Sequence, residues 1–189
     1  MAVDREHSEC FGHGRETLTL ILGGVRSGKS RLAEGLARDS GLPVTYIATA
    51  AAQDSEMAQR IAAHRAQRPA HWNLVEEPLR LASVLKQRAE SERCLLVDCL
   101  TLWLTNLLLA EDEALFRKQR AALLALLPTL AGQTILVSNE TNMGVIPLGE
   151  LSRRYCDEAG RLHQDIAKIC GRVILTVAGL PHVLKGEPL

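Results

Sequence analysis

Eight consecutive residues carry the densest chemistry in the chain. Gly23-Gly24-Val25-Arg26-Ser27-Gly28-Lys29-Ser30 fit the spacing G-x-x-x-x-G-K-[ST], directly after the apolar run Leu18-Thr19-Leu20-Ile21-Leu22. A buried strand before the pattern and a helix-forming stretch after it are the context that gives this spacing meaning. The glycines let the backbone turn tightly and approach phosphate oxygens with no Cβ in between. Backbone N–H groups at the start of the next helix then surround the anion. Lys29 reaches the outer phosphates, and the Ser30 hydroxyl is placed to bind Mg2+. The pattern predicts binding of a nucleoside triphosphate. It leaves open whether the triphosphate serves a kinase, a switch or a motor.

Four further constellations are chemically informative. Asp98 closes the run Leu95-Leu96-Val97. An acid at a buried strand end near a phosphate loop is the usual partner of the nucleotide's Mg2+, and a strand-end cap is the plainer reading. Thr101, Thr105 and Asn106 follow on a predicted helix, as solvated or capping groups. The stretch 53–69 reads as a second helix, capped by Asp54 or Ser55 and ended by Pro69. Arg60, His64 and Arg68 share one face of it at i, i+4 and i+8, opposite Met57 and Ile61. That face is either simply solvated or a grip for polyphosphate, with arginine prongs and a neutral imidazole able to attack phosphorus. Ser138-Asn139-Glu140 follow another predicted buried strand, where Glu140 could orient a nucleophile or a metal-bound water, or serve as a cap. Arg154, Asp157, Arg161 and Gln164 lie roughly along one side of a helix, where a ladder of intrahelical salt bridges is the alternative to a binding role.

The elements that must position these groups alternate along the chain. Short β-rich runs at 18–22, 44–48, 73–76, 94–98, 134–138 and 172–177 are separated by longer helical patterns. Such alternation predicts right-handed βαβ crossovers and an α/β fold with a mostly parallel sheet covered on both faces. The pattern at 149–170 predicts a helix with Leu151, Tyr155, Ala159, Leu162, Ile166 and Ile169 on its core stripe. A chain of 189 residues suits a single such domain, here 17–189, behind an expected mobile tail at 1–16. His7, Cys10 and His13 in that tail match no standard metal spacing. Lys plus Arg and Asp plus Glu number 22 each, so no global field favours nucleic acid or an anionic membrane. Five cysteines without a Cys-x-x-Cys pair fit a reducing compartment rather than disulfides or zinc, with Cys94 and Cys99 as core packing. The most apolar stretch, 95–110, is short for a membrane span and is broken by Asp98 and Asn106.

Taken together, these residues resemble the bifunctional adenosylcobinamide kinase / adenosylcobinamide-phosphate guanylyltransferase family of cobalamin biosynthesis. The resemblance runs from about Thr19 to Lys185. It rests on 23–30, on Tyr46-Ile47-Ala48-Thr49-Ala50 and on Glu56-Met57-Ala58 with Arg60-Ile61 and His64-Arg65. It continues through Arg68-Pro69, Trp72, Asp98, Thr105-Asn106, Ser138-Asn139-Glu140, Gly160-Arg161 and Gln164. It implies a P-loop NTPase fold of the RecA-like kind. It implies nucleotide contacts from Gly23, Gly24, Val25, Arg26, Ser27, Gly28, Lys29 and Ser30, then Ala48, Thr49, Ala50, Arg65, Ala66, Gln67, Arg68, Glu76 and Asp98. His64 would be the covalent carrier of GMP, Lys29 a catalytic cation, and Ser30 and Asp98 the holders of Mg2+. The expected substrates are ATP and GTP, with adenosylcobinamide and adenosylcobinamide phosphate as acceptors, in a cytoplasmic homo-oligomer, a trimer by resemblance. Two other readings are a P-loop small-molecule kinase without guanylyl transfer and a nucleotide-dependent switch. One stretch departs from the family pattern. Thr141-Asn142 stand where Val-Gly is usual, and if that glycine has φ > 0, Asn is its least costly replacement.

Overall fold

The computed structural model describes residues 15–51 and 69–189. Runs that are apolar throughout cannot face water on either side, and they occupy the sheet's interior. β2 (Val44–Ala48) is buried along its whole length, and β4 (Cys94–Asp98) everywhere but its last residue. With β1 (Arg15–Gly23), β3 (Asn73–Glu76), β5 (Gln133–Asn139), β6 (Cys170–Val177) and β7 (Leu180–Lys185) they form one sheet in the order β3-β2-β4-β5-β1-β6-β7. Every pairing is parallel except β6 with β7. The register brings the strands' carboxyl ends level. Ala48 lies beside Asp98 and Asp98 beside Val137, while Gly23 lies between Asn139 and Thr176.

Period-two alternation splits each strand between two cores. Leu20, Leu95, Val97 and Leu136 face α2 (Leu81–Arg88), α3 (Leu100–Leu109), α4 (Glu113–Leu126) and α5 (Glu150–Ile169), around the fully buried Trp103. Ile21, Tyr46, Leu96, Ile135 and Val137 face α1 (Lys29–Asp39), through Ala33 and Ala37. The expected α/β architecture with helices on both faces is what the chain adopts.

Beyond shifts of a residue or two at other element ends, two features differ from the sequence reading. β1 begins at Arg15, so two residues assigned to the tail belong to the strand, while 1–14 lie outside the described residues. β7 was not predicted. It is an exposed edge strand carrying Pro181, which an edge accepts because one side of its backbone makes no ladder. Val177 pairs with Leu180, leaving a two-residue turn of Ala178 (φ 53°) and Gly179 (φ 81°). Positive φ at both positions matches the twist of a tight hairpin. Ala178 tolerates that conformation poorly, whereas Asn adopts it readily. Ala178→Asn is therefore expected to raise the unfolding free energy by about 0.5–1 kcal/mol, read from urea denaturation midpoints. An unchanged or lower midpoint would mean that the turn carries no strain.

Candidate active site

The phosphate loop is shaped by its backbone. Arg26 (φ 56°) and Gly28 (φ 96°) both take left-handed conformations, and Ser27 N donates to Gly24 O at 3.2 Å. Gly23 has no room for a side chain, since a Cβ there would lie 2.4 Å from Ser27 Oγ and 2.6 Å from Thr176 O. The start of α1 carries no side-chain cap and no acid in its first turn, so its leading N–H groups are left for an anion. Lys29 Nζ folds back to Gly24 O at 3.1 Å. Burial pushes the Lys29 ammonium below its ordinary range, and the nearby Asp98 charge opposes that shift.

Two carbonyls of this loop are braced from outside it. Glu140 N, just beyond β5, donates to Gly23 O at 3.0 Å. Gly179 N, in the β6–β7 turn, donates to Ser27 O at 2.8 Å. A Cβ on Gly28 would come within 3.1 Å of Gly179 Cα, so the turn and the loop touch backbone to backbone.

Asp98 accepts from the Tyr46 hydroxyl at 3.0 Å, and the Asp98–Cys99 peptide is cis. The neighbouring Ala48-Thr49-Ala50 segment is held from below. Thr49 is fully buried, donating to Cys99 O at 2.6 Å and accepting from Cys99 N at 3.0 Å. Asn106 Nδ2 donates to both Thr49 O (2.8 Å) and Pro78 O (3.1 Å), giving the Thr105-Asn106 motif a scaffolding role. Thr105 itself donates to Thr101 O at 2.9 Å. Glu76 sits exposed at the end of β3. Its neighbour Glu77, missed in the sequence, accepts from Leu79 N and Arg80 N at 2.9 and 2.7 Å and so fixes the turn that leads into α2. Burial pushes the thiols of Cys94 and Cys99 up to about 11, as protonated packing groups should be.

The third constellation gains a member that the sequence reading did not single out. His163, buried on α5, places Nε2 2.8 Å from Ser138 Oγ and Nδ1 3.7 Å from Glu140 Oε2. Thr101 Oγ1 lies 3.4 Å from Ser138 Oγ and accepts from Asn139 N at 2.7 Å. The available signal was a histidine next to Leu162 on an otherwise apolar stripe. Glu140 Oε1 in turn accepts from Asn142 N at 2.7 Å. Asn142 does not have positive φ, so conformational tolerance is not why Asn can stand here. Its Nδ2 donates to Cys156 O on α5 at 3.0 Å and lies where a Cβ on Gly160 would come within 2.9 Å.

Two arginines of the fourth constellation have acidic partners, one across to α4 and one within α5. Arg154 bonds Glu113 of α4 and lies 5.5 Å from the Phe116 ring centre, while Arg161 pairs with Glu158 at 2.8 Å. Arg120 of α4 reaches Asp165 at 2.6 Å. Arg60, His64, Arg65, Ala66, Gln67 and Arg68 lie outside the described residues. Among the described residues no cluster of three or more His, Cys, Asp or Glu could hold a metal. A cation on Ser30 and Asp98 would therefore complete its oxygen shell from phosphates and water, the manner of Mg2+. No helix among the described residues is long and apolar enough to cross a membrane.

Residues 19–184 match the family model described as cobinamide kinase / cobinamide phosphate guanyltransferase. Over 170 residues the chain is 68% identical to the bifunctional adenosylcobalamin biosynthesis protein CobP of Pseudomonas aeruginosa, covering 90% of this chain and 98% of that protein. It is 37% identical over 176 residues to the bifunctional adenosylcobalamin biosynthesis protein CobU of Escherichia coli, covering 86% and 97%. A solved structure of the RadB recombinase overlays with a TM-score of 0.41 at 18% identity, over 84% of this chain and 73% of that one.

Burial pushes His163 below its ordinary 6.5, and the nearby Glu140 charge opposes that shift. A depressed folded-state value means that the fold favours the neutral ring. The stability this contributes is present above 6.5 and lost as pH falls through the folded value. Unfolding midpoints of the wild type should therefore decline below about pH 6.5 more steeply than those of His163→Gln. Parallel pH curves for the two proteins would refute this.

Proposed function

The chain belongs to the cobinamide kinase / cobinamide phosphate guanyltransferase family, and on that premise we propose that 17–189 form one catalytic domain performing both reactions in cobalamin biosynthesis. The observation that carries this is the family match across 19–184, with the phosphate loop built and braced inside it. Relatives named as bifunctional favour it over a kinase without guanylyl transfer. In the kinase step the acceptor hydroxyl of adenosylcobinamide attacks the γ-phosphorus of ATP or GTP. The γ-phosphorus bond to the bridging oxygen breaks, and its electron pair leaves with the nucleoside diphosphate. Lys29 and the loop N–H groups position the phosphates and spread their charge. Ser30 and Asp98 offer the hard oxygen donors that suit Mg2+, which when bound neutralises the β- and γ-phosphate oxygens.

In the second reaction a ring nitrogen of His64 attacks the α-phosphorus of GTP and expels pyrophosphate. The GMP then passes to the phosphate of adenosylcobinamide phosphate, giving adenosylcobinamide-GDP. A covalent carrier replaces one difficult meeting of two anions with two displacements. The motif around 56–65 supports His64 as that carrier, and Arg65, Ala66, Gln67, Arg68, Ala48, Thr49, Ala50 and Glu76 as its nucleotide surroundings. The same reading makes the protein cytoplasmic and a homo-oligomer, trimeric by resemblance. Large apolar side chains exposed at 143–148, Val145 and Leu148 among them, offer surface that assembly would cover.

Mass spectrometry after incubation with GTP and Mg2+ tests the carrier directly. The wild type should gain one GMP, through a phosphoramidate labile in acid and stable in base. His64→Ala should lose the adduct and adenosylcobinamide-GDP formation yet still phosphorylate adenosylcobinamide. An adduct that survives this substitution would move the nucleophile elsewhere, with exposed His71 the nearest alternative. Lys29→Ala should lose both activities while keeping the wild-type unfolding midpoint. Normal kinase rates in that variant would remove the phosphate loop from the mechanism.

A further inference from the structure

We propose that Glu140 is the carboxylate that receives the acceptor hydroxyl's proton in the kinase step, and that His163 is the residue that positions it. The proposal rests on the cobinamide kinase reading above. Three observations lead to it.

The first is place in the fold. β5 lies between β4, which ends at Asp98, and β1, which ends in the phosphate loop. The helices that follow β1 and β5 pack on opposite faces, since α1 belongs to one core and α5 to the other. The strands' carboxyl ends therefore open a crevice there, the position where ligands sit in parallel sheets. Glu140 stands at the mouth of that crevice, tied through its own N–H to Gly23 O at 3.0 Å.

The second is the direction of a buried chain of hydrogens. Asn139 N–H donates to Thr101 Oγ1, which lies 3.4 Å from Ser138 Oγ, so a Thr101 hydroxyl turned toward Ser138 continues the chain. The Ser138 hydrogen is then left for His163 Nε2. The tautomer that suits this chain carries its hydrogen on Nδ1, 3.7 Å from Glu140 Oε2. The opposite tautomer would set a lone pair against a carboxylate. In that tautomer the hydrogens of Ser138 and His163 run toward Glu140, an arrangement in which each bond polarises the next.

The third is an incomplete last link. At 3.7 Å the Nδ1–Glu140 contact is too long for a hydrogen bond, and His163 Nδ1 is buried without a partner. Burying an unpaired donor is costly, and packing alone would favour an apolar side chain. Asn142 N holds the other carboxylate oxygen, while the Glu140 side chain stays 15% exposed. One oxygen is anchored and the other is open to an incoming hydroxyl. Catalytic hydrogen bonds are often long in the empty enzyme and tighten around substrate.

The step balances as written. The acceptor oxygen forms its bond to the γ-phosphorus, the bridging P–O bond breaks toward the nucleoside diphosphate, and the hydroxyl proton passes to Glu140 Oε2. It leaves to solvent by the exposed edge of the carboxylate. The guanylyl half needs no such group, because an imidazole nitrogen attacks without losing a proton.

The experiment uses the full chain with adenosylcobinamide, ATP and Mg2+, and in parallel GTP labelling of the protein. Glu140→Gln should lower the kinase kcat by about 10²–10³-fold, with the KM for ATP and the extent of GMP labelling unchanged. His163→Asn can still present an N–H toward Glu140, whereas His163→Leu cannot. The Asn variant should keep several-fold more kinase kcat than the Leu variant. Should the Leu variant fail to fold, Ser138→Ala, which cuts the chain one link earlier, takes its place and should lower kcat without raising KM. Full kinase activity in Glu140→Gln would overturn the proposal. So would an equal loss of labelling in that variant, or a Leu variant as active as the Asn variant. A wild type that leaves adenosylcobinamide unphosphorylated would overturn the kinase reading itself.

Discussion

A loop that binds phosphate through its amide hydrogens can spend few of them on its own shape, here that of Ser27 on Gly24 O. Its conformation must be fixed through its carbonyls and by steric exclusion. That constraint organises this structure. The carbonyl of Gly23 is held by the segment after β5, and the carbonyl of Ser27 by the β6–β7 turn. Exclusion does the rest, since Gly23 has Ser27 and Thr176 where a side chain would go. The sheet order follows the same need, because β1 must lie between β5 and β6 for both braces to reach it.

The residues that carry the family signature divide by physical task. Gly23, Gly28, Lys29 and the uncapped start of α1 gather a positive charge and unclaimed N–H groups at one end of the sheet. Thr49 and Asn106 do something different. They satisfy the backbone of Cys99, Thr49 and Pro78, where the chain leaves β2 and β4 without a ladder to pair with. A buried backbone group without a partner costs about as much as a lost hydrogen bond, so fixing these groups also fixes the rim. Asp98 stands on that rim with Tyr46 bonded to it. The rigid underside lets a few exposed groups act without reorganising.

Much of the fold was legible because its signals were local. β2, β3 and β4 fall where the apolar runs placed them, and the strand-loop-helix spacing located the phosphate loop directly. What escaped is non-local or chemically quiet. β7 is short, exposed and contains Pro181, so neither alternation nor β propensity marks it. His163 sits on a stripe that reads as plain core until the fold brings Ser138 and Glu140 to it. Arg154 and Arg161 looked alike along one helix, yet one reaches across to α4 while the other pairs within α5. Asn142 fits its position through a side-chain bond to α5, which no reading of local conformational preference could supply.

The brace between Ser27 and Gly179 joins residues far apart in sequence. Synthesis runs from the N-terminus, and contacts distant in sequence form late because their loop must first be closed. A nascent chain therefore displays the whole glycine-rich signature long before that signature has its shape. The braced shape of the loop is thus a property of the completed sheet rather than of the glycine-rich segment alone.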